Sequence, residues 1–141
     1  MGSIFRTADG AGVEKIFLGG YTPTPIDRFG RTQPEIQKTS LGASETVPWE
    51  SVSDEAAPAL LAQLKSEGFQ IVSVEQDPKS VSIYEFKPTE KVCYIFGNEI
   101  GGVRKEILDL SDKIIEIPMR GSKESLNVGV SAGVVLFRPI I

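Results

Sequence analysis

The chain has 141 residues, of which 40% are hydrophobic and 24% charged, and its formal net charge is −4. This length predicts one domain that buries a core without a disulfide or metal staple. The absence of histidine excludes histidine-based triads and histidine metal sites, and the single cysteine, Cys93, excludes an internal disulfide.

The same composition sets expectations about location and partners. We find neither a signal segment nor an apolar run long enough to span a membrane. We therefore expect a cytoplasmic protein with no membrane partner and no metal. The negative net charge means that binding to RNA would need a local basic patch, for which the candidates are Arg6, Arg28, Arg31, Lys38, Lys105, Arg120 and Lys123.

The first half of the chain reads as a helix, a strand, a long connection and a second helix. Apolar spacing and Ser3 predict a short helix that Gly10 and Gly12 end, followed by a strand at residues 14–18. Residues 19–53 are rich in turn signals, and we expect an RNA-facing surface there. A clear amphipathic helix then begins at Ser53 or Asp54 and ends at Gly68.

The second half alternates strands and helices, which predicts a parallel sheet. Residues 77–90 fit either a strand or a short amphipathic helix. The other predicted elements are strands at 70–74, 91–96 and 113–117, a short helix at 104–110, and a helix from Ser125 to Phe137.

Two glycine-bearing loops follow two of these strands. The first is Gly97-Asn-Glu-Ile-Gly-Gly-Val103, and the second runs from Pro118 to Asn127. Ligands of open α/β sheets bind where such loops leave the strands. By itself the first loop is equally compatible with an ordinary turn, because it matches neither a dinucleotide fingerprint nor a phosphate loop.

The second loop carries a long motif with fixed spacing. The residues Ile117-Pro-Met119, Gly121 and Ser125-Leu-Asn-Val128 resemble motif 3 of the SpoU (TrmH-like) family of SPOUT RNA methyltransferases. The first loop resembles motif 2 of this family, and Gly2–Ala8 resembles motif 1. The resemblance extends from Gly2 to Phe137.

The resemblance implies a fold and a cofactor. The expected fold is α/β, with a largely parallel sheet of about five strands flanked by helices and a C-terminal deep trefoil knot. Residues 1–141 would form one SPOUT domain, shortened at its N-terminus because the family's first strand and motif-1 asparagine would precede Met1. S-adenosyl-L-methionine would be the cofactor, and the residues implied to bind it are Gly97, Ile117, Met119 and Leu126.

The resemblance also implies the reaction, which is methyl transfer to a ribose 2′-hydroxyl of tRNA or rRNA. Arg6 would bind RNA phosphate and stabilise alkoxide charge, and Glu99 would orient it or other motif residues. Ser125 and Asn127 would hydrogen-bond ribose or cofactor. Simpler functions are compatible with these: a helix cap for Ser125, loop closure for Asn127 and a helix-start charge for Glu99.

Relatives of this family generally dimerise, so we expect a homodimer that uses the small-residue helix from Asn127 to Phe137 or the first helix. Two alternatives remain open. One is a catalytically impaired cofactor- or RNA-binding protein of the same fold. The other is a nucleotide-binding α/β protein that holds a phosphate at Gly97–Gly102.

Overall fold

The computed structural model describes residues 2–20, 47–98, 101–122 and 126–138. The helices are α1 (Gly2–Ala11), α2 (Ala57–Ser66), α3 (Lys105–Leu110) and α4 (Val128–Phe137). The strands are β1 (Ile16–Gly19), β2 (Trp49–Val52), β3 (Gln70–Val74), β4 (Val81–Ser82), β5 (Val92–Phe96) and β6 (Lys113–Glu116). Two compact units are present: a first unit, Met1–Ala57 with Ala132–Ile141, and a second unit, Pro58–Ser131.

The first unit packs α1 beside a two-stranded parallel sheet in which Ile16 of β1 faces Trp49 of β2. Its core contains Phe5, which is completely buried, with Leu18 and Val47. The spacing of apolar residues in α1 places Phe5 and Ala8 inside and leaves Arg6 exposed.

The second unit contains a four-stranded parallel sheet with the order β4-β6-β3-β5. Strand β3 is central, and its residues Ile71, Val72 and Ser73 are fully buried. The Ser73 hydroxyl lies 2.6 Å from that of Ser111, which donates to the Ile107 carbonyl at 2.8 Å. Ser73 is therefore the donor to Ser111, and its buried hydroxyl is satisfied.

The predicted α/β class and the parallel pairing of strands are confirmed, with two differences in the sheet. Among the described residues the strands belong to a two-stranded and a four-stranded sheet, not to one sheet of about five. Residues 49–52, predicted as part of a long connection, form β2. The sequence does not predict this strand, because Glu50 and Ser51 interrupt the apolar pattern. Its ladder with β1 is formed by backbone groups, which any residue type except proline supplies.

Several elements differ in their bounds from the predictions, among them β1, predicted at residues 14–18 and observed at Ile16–Gly19. Helix α2 begins at Ala57, because the N–H of Ala56 bonds to the carbonyl and hydroxyl of Ser53 in a preceding turn. The ambiguous segment 77–90 contributes only the two residues of β4 to the sheet. Within the described ranges, no helix combines the length and apolar character needed to cross a bilayer.

Candidate functional site

The second unit contains a cavity of about 590 Å³ at the carboxyl ends of β3, β5 and β6. This volume is typical of pockets that hold a small molecule. The crevice outside the carboxyl ends of parallel strands is also where open α/β sheets bind their ligands. The cavity is therefore the candidate functional site.

One wall of the cavity is the turn that follows β5. The Asn98 carbonyl accepts the Gly102 N–H at 3.0 Å, and the Asn98 side chain accepts the Gly101 N–H. Gly97 packs so closely on this turn that a Cβ at its position would overlap the backbone of Gly102 and Val103. A side chain at Gly97 would therefore displace the turn.

The opposite wall comes from the segment after β6. Ile117 and Met119 follow the strand, and Leu126 approaches from the residues before α4. Together with Phe96 they supply apolar surface to the cavity. Such surface suits a flat heterocycle or an aliphatic chain.

Asn127 closes the N-terminus of α4. Its side-chain oxygen accepts the Val130 N–H at 2.8 Å, and its carbonyl accepts the Ser131 N–H at 2.9 Å. Asn127 is thus the N-cap, and the prediction that the helix begins at Ser125 is wrong. The cap fixes Asn127 at the edge of the cavity, because its carboxamide oxygen is held by the helix.

The charged side chains among the described residues that line the cavity are acidic. Glu75 follows β3 and Glu116 ends β6, and both line the cavity. Of the described residues that line it, none is a lysine or an arginine. This lining favours a cationic ligand and disfavours a phosphate, because each carboxylate would repel an anion.

The structure brings together all four residues predicted to bind the cofactor, with Asn127 beside them. Gly97, Ile117, Met119, Leu126 and Asn127 all line this one cavity.

The other predicted site residues lie elsewhere or outside the description. Arg6 is an exposed residue of α1 in the first unit. Glu99 and Ser125 are outside the described residues, as are Arg28, Arg31, Lys38 and Lys123 of the proposed basic patch.

Four polar residues of the cavity were not predicted from the sequence: Glu75, Gln76, Glu116 and Ser131. Strands β5 and β6 are consecutive in the chain, but β3 lies between them in the sheet. The residues that follow β3 must therefore face both loops. The end of an apolar strand followed by polar Glu75 and Gln76 was the available signal.

Metal-binding groups and the cysteine do not add to this site. In the part of the chain that the structure describes, no group of three acidic or cysteine side chains is arranged to hold a metal ion. Burial raises the pKa of the Cys93 thiol to about 11. A thiol with this pKa stays protonated at neutral pH and is a poor nucleophile.

Comparison with known sequences gives a family and its curated members. The family described as SpoU rRNA Methylase matches residues 1–137. The 23S rRNA (guanosine-2'-O-)-methyltransferase RlmB of Neisseria meningitidis is 33% identical over 136 residues, which are 96% of this chain and 51% of that protein. The RlmB of Pectobacterium atrosepticum is 34% identical over 99% of this chain and 54% of its own length. The chain spans about half the length of the curated relatives it matches.

Solved structures agree with this assignment. An AdoMet-bound rRNA methyltransferase from Sinorhizobium meliloti has a TM-score of 0.83 and 27% identity, over 96% of this chain and 49% of that one. The TrmH/SpoU tRNA modifying enzyme of A. aeolicus has a TM-score of 0.79 and 31% identity, over 96% of this chain and 64% of that one. With its family match extending over nearly all of its residues, the chain belongs to the SpoU rRNA methylase family.

Proposed function

We propose that this protein is an S-adenosylmethionine-dependent methyltransferase that modifies a ribose 2′-hydroxyl of RNA. The observation that carries the proposal is the cavity, which the motif-2 and motif-3 loops of a SpoU family chain build around two carboxylates. The relatives named as 23S rRNA guanosine 2′-O-methyltransferases make a ribosomal RNA guanosine the substrate to test first.

The residues present fit this cofactor. Ile117, Met119 and Leu126 offer apolar walls to the adenine. Gly97, Gly101 and Gly102 line the cavity with backbone, where other residues would add a side chain. The acidic lining suits the positive charges of the sulfonium and the amino group. When bound, this cofactor supplies a methyl group that is already activated for transfer.

The chain's own residues then have to orient an RNA hydroxyl and stabilise its developing charge. A guanidinium is a poor general base, so we assign Arg6 to RNA phosphate and alkoxide charge and not to proton abstraction. Asn127 has its carboxamide oxygen in the helix cap, so its amide N–H groups are the donors for a ribose or cofactor oxygen. Glu99 and Ser125 keep the orienting and hydrogen-bonding functions that the resemblance implies.

We include four further features in the proposal. Residues 1–141 form one SPOUT domain, which the family match over residues 1–137 supports. The C-terminal segment forms the trefoil knot that the resemblance implies.

Two copies associate through α4, whose Val130, Val134 and Phe137 are 49%, 38% and 37% exposed along the helix. The protein acts in the cytoplasm, which suits the free thiol of Cys93.

Calorimetric titration with S-adenosylmethionine tests the proposal. We expect the wild-type chain to bind, and Gly97→Ala to bind at least tenfold more weakly because its Cβ displaces the turn. Gly19→Ala on β1 should bind normally, because a Cβ there meets only the Val52 carbonyl oxygen, at 4.0 Å, and Gly19 does not line the cavity. Ser131→Phe, which fills the cavity from α4, provides a second blocking variant should Gly97→Ala fold poorly.

Methylation is then measured on a 23S rRNA transcript with a labelled methyl donor, followed by nuclease digestion to identify the modified nucleoside. A 2′-O-methylated nucleoside is the expected product. Binding without methylation would instead indicate the impaired cofactor-binding protein considered above. A folded wild-type chain that does not bind the cofactor would contradict the proposal.

A further inference from the structure

Glu75 connects the two strands that flank β3. Its backbone N–H donates to the Ile115 carbonyl of β6 at 2.9 Å. On its side chain, Oε2 accepts the Val103 N–H at 2.9 Å, in the turn after β5, and Oε1 accepts the Gln76 N–H at 3.1 Å. One residue thus joins the end of β3 to β6 and to the turn that follows β5.

The contact between this carboxylate and the turn is close. Gly102 has a φ of +64°, which favours glycine, and a Cβ at this position would overlap Oε2 of Glu75. Val103, whose N–H bonds to the carboxylate, is only 8% exposed. A hydrogen bond to an ionised acceptor in a partly buried place is stronger than a neutral one, so Glu75 is suited to hold the turn in one conformation.

The same carboxylate also places a negative charge at the cavity. Each oxygen accepts one backbone N–H and retains capacity for a further interaction. With Glu116 it forms the charged lining of the cavity, to which the described residues contribute no basic side chain. Such a charge attracts a cation and is nearly indifferent to a neutral ligand of the same shape.

We propose that Glu75 is a positioning residue that holds the turn after β5 in place and makes the cavity prefer a sulfonium over the corresponding neutral thioether. The proposal rests on the proposed function, because it concerns the methyl donor and its product. In this way the site holds the sulfonium donor and more readily releases S-adenosylhomocysteine, whose sulfur carries no charge.

Two substitutions separate the two effects. Glu75→Gln removes the charge but keeps a side-chain oxygen that can accept the Val103 N–H, whereas Glu75→Ala removes both. Glu90→Gln is the matched control, because Glu90 is exposed and does not line the cavity. Dissociation constants for S-adenosylmethionine and S-adenosylhomocysteine are measured by calorimetry, and exchange of the Val103 amide is measured by NMR without ligand.

We expect Glu75→Gln to weaken binding of the sulfonium by about tenfold, to change binding of the thioether by less than about twofold, and to preserve protection of the Val103 amide. Glu75→Ala should also speed Val103 exchange by about tenfold or more, since its hydrogen bond is lost. Glu90→Gln should match the wild type in all three measurements.

The outcomes that overturn the proposal differ from those that overturn the proposed function. If Glu75→Gln leaves the ratio of the two dissociation constants unchanged, Glu75 does not make the cavity prefer the sulfonium. If Glu75→Ala leaves the exchange rate of the Val103 amide unchanged, Glu75 does not hold the turn after β5 in place. In both cases binding by the wild type leaves the proposed function intact. A wild type that binds neither nucleoside contradicts the proposed function, and the charge preference with it, while the exchange measurement still decides whether Glu75 holds the turn.

Discussion

Asp112 and Ile71 exchange two hydrogen bonds. The Ile71 N–H donates to Oδ2 of Asp112 at 2.7 Å, and the Asp112 N–H donates to the Ile71 carbonyl at 2.8 Å. This pair joins the residue before β6 to β3. It lies one position before Val72 and Lys113, which are partners in the ladder between the two strands. It thereby aligns the carboxyl ends of the two strands at the cavity.

The first prediction follows from this pair. Asp112→Ala should lower the free energy of unfolding by about 2 kcal/mol, because the Ile71 N–H loses a charged acceptor in a partly buried place. The ion pair of Asp112 with Lys65, at 3.5 Å between half-exposed groups, should contribute little of this loss. Urea denaturation measures the effect. Asp109→Ala, an exposed change in α3, is the control, and an equal loss in both variants would contradict the prediction.

The second prediction concerns the pH dependence of stability. Burial raises the pKa of Cys93 to about 11 from 9.0, so the unfolded thiol ionises before the folded one. The associated stability is fully present below about pH 9 and is lost as the pH rises to about 11, for a total of roughly 3 kcal/mol. Burial raises the pKa of Tyr94 as well, which acts in the same direction.

Denaturation between pH 7 and pH 11 checks this second prediction. Cys93→Val should flatten the decline in stability, although Tyr94 leaves part of it. The prediction would be wrong if the variant and the wild type lost stability in parallel over this range.

The third prediction separates cofactor binding from chemistry. Arg6→Ala should slow single-turnover methylation by about a hundredfold or more, since a charge that stabilises the transition state is removed. The dissociation constant of S-adenosylmethionine should change by less than about twofold, because we assign Arg6 to the RNA and not to the cofactor. Lys87→Ala, another exposed cation, should retain full activity. Weaker cofactor binding in Arg6→Ala would argue against a function confined to the RNA.

The fourth prediction tests the α4 surface. Val134→Lys should weaken self-association by at least about tenfold, because it places a charge on the apolar face that we propose to meet a second copy. Sedimentation velocity over a range of concentrations measures this change. Val81→Lys changes a valine of nearly equal exposure, 37% against 38%, on β4, and should leave the association constant as it is. Dimers of equal strength in both variants would place the interface elsewhere.

Local features of the sequence were sufficient for several elements. The strand predicted at residues 70–74 has the observed bounds of β3, and those predicted at 91–96 and 113–117 differ from β5 and β6 by one residue. Unbroken apolar runs bounded by Gly, Pro or polar residues determine such elements, because these signals act within a few residues. The motif residues of both loops were recognisable for the same reason.

The tertiary structure alone decided that Glu75, Gln76, Glu116 and Ser131 share the cavity with the motif residues. The sequence order of β3, β5 and β6 does not reveal that β3 lies in the middle, since strand order depends on crossovers between distant segments. This central position brings Glu75 between the two loops. Hydrogen bonds also decided two features that sequence periodicity does not report. The Val130 N–H donates to the Asn127 side chain and sets the start of α4 at Val128, and backbone hydrogen bonds pair β2 with β1.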